Sequence, residues 1–400
     1  VPVSDDTLAQ LADLVVEFGA NVQPGQQVVI QSEPGKEPLT RAIADRVYRA
    51  GAAFVHVLYG DPYVQRSRIQ HGSDEALGYE PEWTVAMARE MGEKRGCRIA
   101  LSGATAPGLL AGLDAERIGR DRPPAAREWM RILGESTVNW SIVPCPNPGW
   151  AQQVYPKADP QEALDELWRH VVHVCRLDEA DPVAAWSSRM ADMDRAATAL
   201  TGHRFDALRI RGNGTDVTVG LLSGSLWQAA SLARDDGLIF HPNLPTEEVF
   251  TTPDPTRTEG VVAASMPLEL SGTTVSDFRV RFEGGRVVGI EGGTGIEALQ
   301  AYANRDEGAA RLGEIALVDG GGRIGPLKTV FHDTLLDENA ASHMAIGQGF
   351  DWAVEPQDRE RINRSEIHVD FMWGAPGVEV HGVTASGDEQ PVLIDGTWRI

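Results

Sequence analysis

Short β-branched runs and segments of helical period alternate through the first part of the chain. "QQVVIQS" (26–32) follows the turn "QPGQ" and is succeeded by "EPLTRAIADRVYRAGA", where Leu39, Ile43, Val47 and Ala50 fall at helical spacing. An apolar run from Ala52 to Tyr59 then ends at Gly60. The alternation continues with a helix in "PEWTVAMAREMGEKRG", a strand in "CRIALSGA", a helix in "AAREWMRILGEST" and a strand in "VNWSIVPCP". Such an order predicts a parallel sheet with helices packed on it. Two further helices are expected at "PQEALDELWRHVVHVCRL", with a stripe of Leu164, Leu167, Val171 and Val174, and at "DPVAAWSSRMADMDRAATAL".

Beyond Gly202 the period shortens to two. "FDALRIRGNGTDVTVGLLSG" alternates apolar and polar residues around a Gly-Asn-Gly turn, and "TVSDFRVRFEGGRVVGIEGG" repeats the pattern around Glu283-Gly284-Gly285. "EVHGVTASGDEQPVLIDGTWRI" adds more short strands. The expected architecture is therefore α/β: an N-terminal α/β domain with a mostly parallel sheet (1–200) and a C-terminal α+β domain rich in antiparallel strands (201–400).

Composition narrows the function classes. A formal net charge of -22 repels phosphate backbones, so nucleic acid is not an expected partner. No apolar run reaches the ~18 residues of a membrane span. The segment "VPVSDDTLAQLADLVVEFGANVQPG" lacks a basic region before an apolar one and reads as the first amphipathic helix of a mature protein. Three dispersed cysteines, Cys97, Cys145 and Cys175, form no metal or redox motif and suggest buried, reduced thiols in a cytoplasmic protein.

Charged groups set among apolar, Gly or Pro residues point to chemistry, because desolvating them is costly without a compensating partner. Glu247 and Glu248 in "PNLPTEEVFTTP" either begin a helix capped by Thr246 or supply a ligand or base. Glu314 precedes the apolar run 315–318 and is expected at a strand start. In "LLDENAASHMAIGQGF", His343 falls on an expected helix of small residues that Asp337 would cap. His368 and Asp370, two apart in "SEIHVDFMWG", share one face of a strand, which suits a two-ligand arm or an Asp that orients a core histidine. His170 and His173 have ligand spacing on one helix, yet half-buried histidines without a metal look the same. Together Glu248, Glu314, His343, His368 and Asp370 form a mixed carboxylate and imidazole set that suits two divalent ions, Zn, Co or Mn.

"NLPTEEVFTTP", "LGEIALV", "LLDENAASHMAIG" and "HVDFMWG" resemble the M29 metallopeptidases, the group of aminopeptidases T, S and PepS. "GANVQPGQQVVIQS", "AGAAFVHVLYGDP" and "NWSIVPCPNPGWAQQVYP" extend the resemblance over nearly the whole chain. It implies two metal ions on Glu248, Glu314, His343, His368 and Asp370, a homodimer, and short peptides or small amides as substrates. It also implies a departure: Phe350 stands seven residues after His343, where the family pattern carries a tyrosine. A phenol can donate to an oxyanion and a phenyl ring cannot.

The expected activity is a dinuclear metallo-aminopeptidase, with Glu247 as proton shuttle or as support for a ligand. Two alternatives stand beside it. One is hydrolysis of a non-peptide amide in specialised metabolism, favoured by the apolar Phe350. The other is a mononuclear iron ring-cleaving dioxygenase using His343, His368 and Asp370, against which the presence of Glu248 and Glu314 argues.

Overall fold

A computed structural model describes residues 3–121, 123–270 and 273–400. The chain forms two compact units: one runs to Trp186 and takes in Ser231–Pro245, the other comprises Ser187–Ala230 and Thr246–Ile400. The helix Pro182–His203 contains the first division.

The first unit holds the parallel sheet expected from the alternation. Its strands lie in the order Phe54–Tyr59, Gln27–Ser32, Cys97–Ser102, Asn139–Pro144, every neighbouring pair parallel. Helix Glu37–Arg49 buries Leu39, Ile43 and Val47, the stripe its spacing predicts. Val29, Met91, Ile132 and Val138 form one core cluster between strands and helices. The N-terminal helix Asp5–Asp13 is capped by Ser4, whose hydroxyl accepts from Thr7 N–H at 3.1 Å, and continues as a π-helical turn through Leu14–Gly19. The excursion 231–245 is anchored by Arg234, which donates to the buried Asn139 Oδ1 at 3.1 Å. Cys97, Cys145 and Cys175 are unpaired and buried. Among the described residues, no helix is long and apolar enough to cross a membrane.

The second unit is antiparallel. The hairpin Ala207–Gly212 and Thr215–Leu221 turns at Asn213 and Gly214, both at positive φ (49° and 83°), as a two-residue turn matched to strand twist requires. The hairpin Thr273–Glu283 and Arg286–Thr294 turns on Gly284 and Gly285. Both belong to one large sheet.

A smaller sheet gathers the candidate site residues. Its strands run in the order His368–Met372, His343–Gly347, Leu312–Val318, Glu248–Thr251, all antiparallel. One set of facing positions reads His368, Asp370 and Met372, then Gly347, Ala345 and His343, then Glu314, Ala316 and Val318, then Glu248 and Phe250. Side chains at such positions share one face. The other face is apolar and buried, with Ile315, Leu317, Met344, Ile346, Val369, Phe371 and Val249. Burial of that face fixes the register, since a slip of one residue would send every functional side chain into the core.

Gly313 sits at the irregularity between Leu312 and Glu314 where the pairing with the His343 strand shifts. A Cβ there would lie 2.3 Å from the Gln348 carbonyl oxygen and 2.5 Å from that of Gly347. Gly313→Ala must therefore push the two strands apart. It is expected to cost about 1–3 kcal/mol, read as a lower urea midpoint at unchanged slope. An unchanged midpoint would show that the strands do not approach this closely.

Candidate metal centre

Each histidine of the small sheet is oriented by a backbone carbonyl. His343 Nδ1 donates to the Ala341 carbonyl at 3.2 Å, and His368 Nδ1 donates to that of Gln348 at 2.8 Å. The tautomer in both rings is set, and both Nε2 atoms are turned toward carboxylates. His343 Nε2 lies 2.9 Å from Glu248 Oε2. His368 Nε2 lies 3.0 Å from Glu314 Oε2 and 3.3 Å from Asp370 Oδ1.

The ligand-type atoms fall into two groups, each within 4.8 Å: Glu248, Glu314 and His343, and Glu314, His368 and Asp370. Glu314 belongs to both. Four of the five residues are nearly dry, with His343 1%, Glu314 4%, Glu248 7% and Asp370 8% exposed. Although Glu248 Oε2 is close to His343, the contact lacks hydrogen-bond geometry and this oxygen has no hydrogen-bond partner. A buried carboxylate oxygen left in this way costs stability unless a cation completes it. The donor set fits a divalent metal by chemistry as well as by position: oxygen and imidazole nitrogen, without thiolate.

The chain matches the thermophilic metalloproteases (M29) over residues 4–398. It is 39% identical to aminopeptidase T of Thermus thermophilus over 98% of both chains, and 32% identical to aminopeptidase 2 of Geobacillus stearothermophilus over 98% of this chain and 97% of that one. The chain belongs to the M29 metalloprotease family. The solved structure of wild-type AmpT from T. thermophilus superposes with a TM-score of 0.91 at 38% identity, covering 99% of each chain. The M29 fold thus joins the parallel-sheet region to the antiparallel one, as the sequence pattern predicts.

Several local expectations are corrected. His343 is on a strand, His343–Gly347, rather than on a helix. The helical stretch ends earlier, as Thr334–Asp337 followed by a 3-10 turn Glu338–Ala340. Asp337 does not cap a following helix; its carboxylate accepts from the backbone N–H groups of Phe331 and Asp333, closing the turn that precedes it. Thr246 caps no helix either, because Glu248 opens the strand Glu248–Thr251. His170 pairs with the Tyr155 hydroxyl and His173 with Asp178.

Glu247 points its chemistry elsewhere. Its carboxylate accepts from Arg189 Nε at 2.5 Å and from the Arg323 backbone N–H at 3.3 Å. Phe350 stands against the centre: its ring stacks on Trp352 at 4.8 Å, meets Phe250 edge-on at 5.6 Å and tilts over the His368 imidazole at 5.0 Å.

One residue escaped the sequence reading. Glu338 is driven well above the usual carboxylate range by burial, and then by the charges of Asp370 and Glu248. With Asp370, Glu269 and His332 it lines a cleft of about 20 Å³, room for about one water. Its neighbours in sequence give no hint of this, since the 3-10 turn brings it to the cluster by tertiary packing alone.

The electrostatics of this cluster are those of crowded carboxylates. Burial raises Glu314 against the pull of His368. Burial also works against charge on His343, but the close carboxylate of Glu248 and the charges of Glu314 and Asp370 raise it to about 10. This folded-state value exceeds the ~6.5 of an unfolded histidine. His343 therefore contributes stability that is complete below pH ~6.5 and is lost as pH rises through about 10. The chelated protein should lose melting temperature between pH 7 and 10, and metal loading at pH 7.5 should release at least about one proton per chain. Calorimetry in two buffers of different ionisation enthalpy measures that release; none detected would contradict the charged state assigned to His343.

Proposed function

We propose that Glu248, Glu314, His343, His368 and Asp370 hold two divalent metal ions, and that the protein removes N-terminal residues from short peptides. This M29 chain is a metal-dependent aminopeptidase. The observation that carries the two-ion reading is the membership of Glu314 in both groups of ligand-type atoms, so that the five residues would serve two neighbouring positions. Charge supports the same count. Glu248, Glu314, Glu338 and Asp370 carry four negative charges when ionised, which two divalent ions cancel while the imidazoles stay neutral.

Bound divalent ions supply a water acidified toward neutral pH and a positive charge for the scissile carbonyl oxygen. The chain's own residues do the rest. Gln348 and Ala341 hold the imidazoles in the tautomer that presents Nε2. Glu338, beside Asp370 in the cleft and raised by burial, is placed to hold and return a proton. Glu247 supports the strand that presents Glu248, the second of its two expected roles, because Arg189 holds its carboxylate. The acidic cluster attracts a peptide's protonated N-terminus. Zn, Co and Mn all suit the donors. The resemblance to the family supports a homodimer, and three buried unpaired cysteines support a reducing, cytoplasmic setting.

The dioxygenase and non-peptide readings are not favoured: the relatives are aminopeptidases, and both Glu248 and Glu314 are present at the cluster. Protein purified with its metals should carry about two Zn, Co or Mn ions per chain and hydrolyse leucyl, aromatic or arginyl amides in a chelator-sensitive way. One iron per chain, or two ions without hydrolysis of any free-amine substrate, would sink the proposal. Phe350→Tyr restores a hydrogen-bond donor beside His368 and is expected to raise kcat on the order of tenfold or more, at unchanged metal content.

A further inference from the structure

A second buried charge network lies in the same unit, around Glu247, the residue that precedes Glu248. Its centre is Arg189, 8% exposed, on the helix Pro182–His203. The guanidinium uses three nitrogens: Nε donates to Glu247 Oε2 at 2.5 Å, Nη1 to Asp319 Oδ2 at 3.1 Å and Nη2 to Asp319 Oδ1 at 2.6 Å. Asp319 is held in turn by the Trp398 indole N–H at 2.7 Å and the Gly321 backbone N–H at 2.9 Å.

On the far side of Glu247 the network continues through backbone. The Glu247 N–H donates to Asn339 Oδ1 at 2.6 Å. Asn339, fully buried, donates from Nδ2 to the Leu335 carbonyl at 2.9 Å and to Glu338 Oε1 at 3.4 Å. Both the side chain and the peptide N–H of Glu247 are therefore fixed. The next residue is Glu248, whose Oε2 has no hydrogen-bond partner of its own. The residue before Asn339 is Glu338.

We propose that Arg189 is a positioning residue for the metal centre, locking Glu247 and, through it and Asn339, the placement of Glu248 and Glu338. The proposal rests on the two-ion reading above. It identifies a cation that touches neither substrate nor metal yet sets how tightly the ion at Glu248 and His343 is held. An ion pair that merely stabilised the unit would lower folding stability and leave the metal dissociation constants alone. A positioning residue changes the constants in protein that is still folded, because a ligand set loosened by a fraction of an ångström loses affinity.

The test is competition for Zn²⁺ or Co²⁺ against a chromophoric chelator, run on wild type, Arg189→Met, Arg189→Lys and Asp319→Asn, with circular dichroism of each chelated protein. Arg189→Met is expected to weaken one of the two ions by about tenfold or more, Arg189→Lys to recover part of that loss, and Asp319→Asn to give a smaller loss. Removing the cation strands two carboxylates, so Arg189→Met risks unfolding; Asp319→Asn keeps the Arg189–Glu247 contact and decides the matter in that case. Folded variants with wild-type dissociation constants for both ions would overturn the positioning role and leave the two-ion reading standing. Wild-type protein that binds fewer than two ions would overturn both.

Discussion

Crowding of like charges in a nearly dry place is the constraint on which this structure turns. Glu248, Glu314, Asp370 and Glu338 converge, with His343 and His368 among them to offset part of the charge. In a medium of low dielectric that arrangement is costly, and an isolated chain would relieve it by turning the side chains apart. The small sheet denies that escape. Its opposite face is packed with Ile315, Leu317, Met344, Ile346 and Phe371, so the strands can neither slip nor rotate. Alanine and glycine fill the same-face positions between the ionisable residues: Ala316, Ala345 and Gly347. Larger residues there would occupy the space the ligand atoms need. The smallness of "ASHMAIG" is thus a property of the site's geometry, a demand for room in front of the sheet.

The same constraint explains what the sequence made legible. Strand alternation is local, so the shared face of His368 and Asp370 and the strand position of Glu314 could be read directly. His343 could not. Glu338, Asn339, Ala340, Ala341 and Ala345 surround it with residues whose preferences do not favour strands, and the local reading was a helix. The residue nevertheless lies on a central strand, paired on both sides, and two ladders of backbone hydrogen bonds outweigh local preference. Glu247 and Glu248 show a related limit. The sequence marked the pair as unusual, but nothing in it distinguished the one turned to the cluster from the one turned to Arg189. That choice depends on a cation 58 residues away. Glu338 was invisible for the same reason, since only folding of the 3-10 turn gives it its neighbours.

Aromatic rings complete the enclosure. Phe250 lies on the ligand face by register, Phe350 meets its edge, and Trp352 stacks behind Phe350. His368 is the most exposed of the five clustered side chains at 27%, and Phe350 tilts over its imidazole. A hydrocarbon ring in that position limits water on the open side of the centre. It strengthens the charge interactions that raise His368 and lower Asp370, which burial alone would drive in the opposite directions.

This bears on what the substitution at Phe350 means for the enzyme. The ring has two functions at such a position: it walls the imidazole, and with a hydroxyl it would also present a donor. Phenylalanine keeps the wall and gives up the donor. Stacking with Trp352 and the edge contact with Phe250 involve only the ring, so they do not select between the two residues. Since the clustered carboxylates and imidazoles and their anchors persist without the phenol, shaping the cluster and presenting a donor at its rim are separable demands in this fold. The sheet meets the first through backbone register and buried packing. The second falls to single side chains at its rim, where one oxygen atom can be gained or lost without disturbing the core.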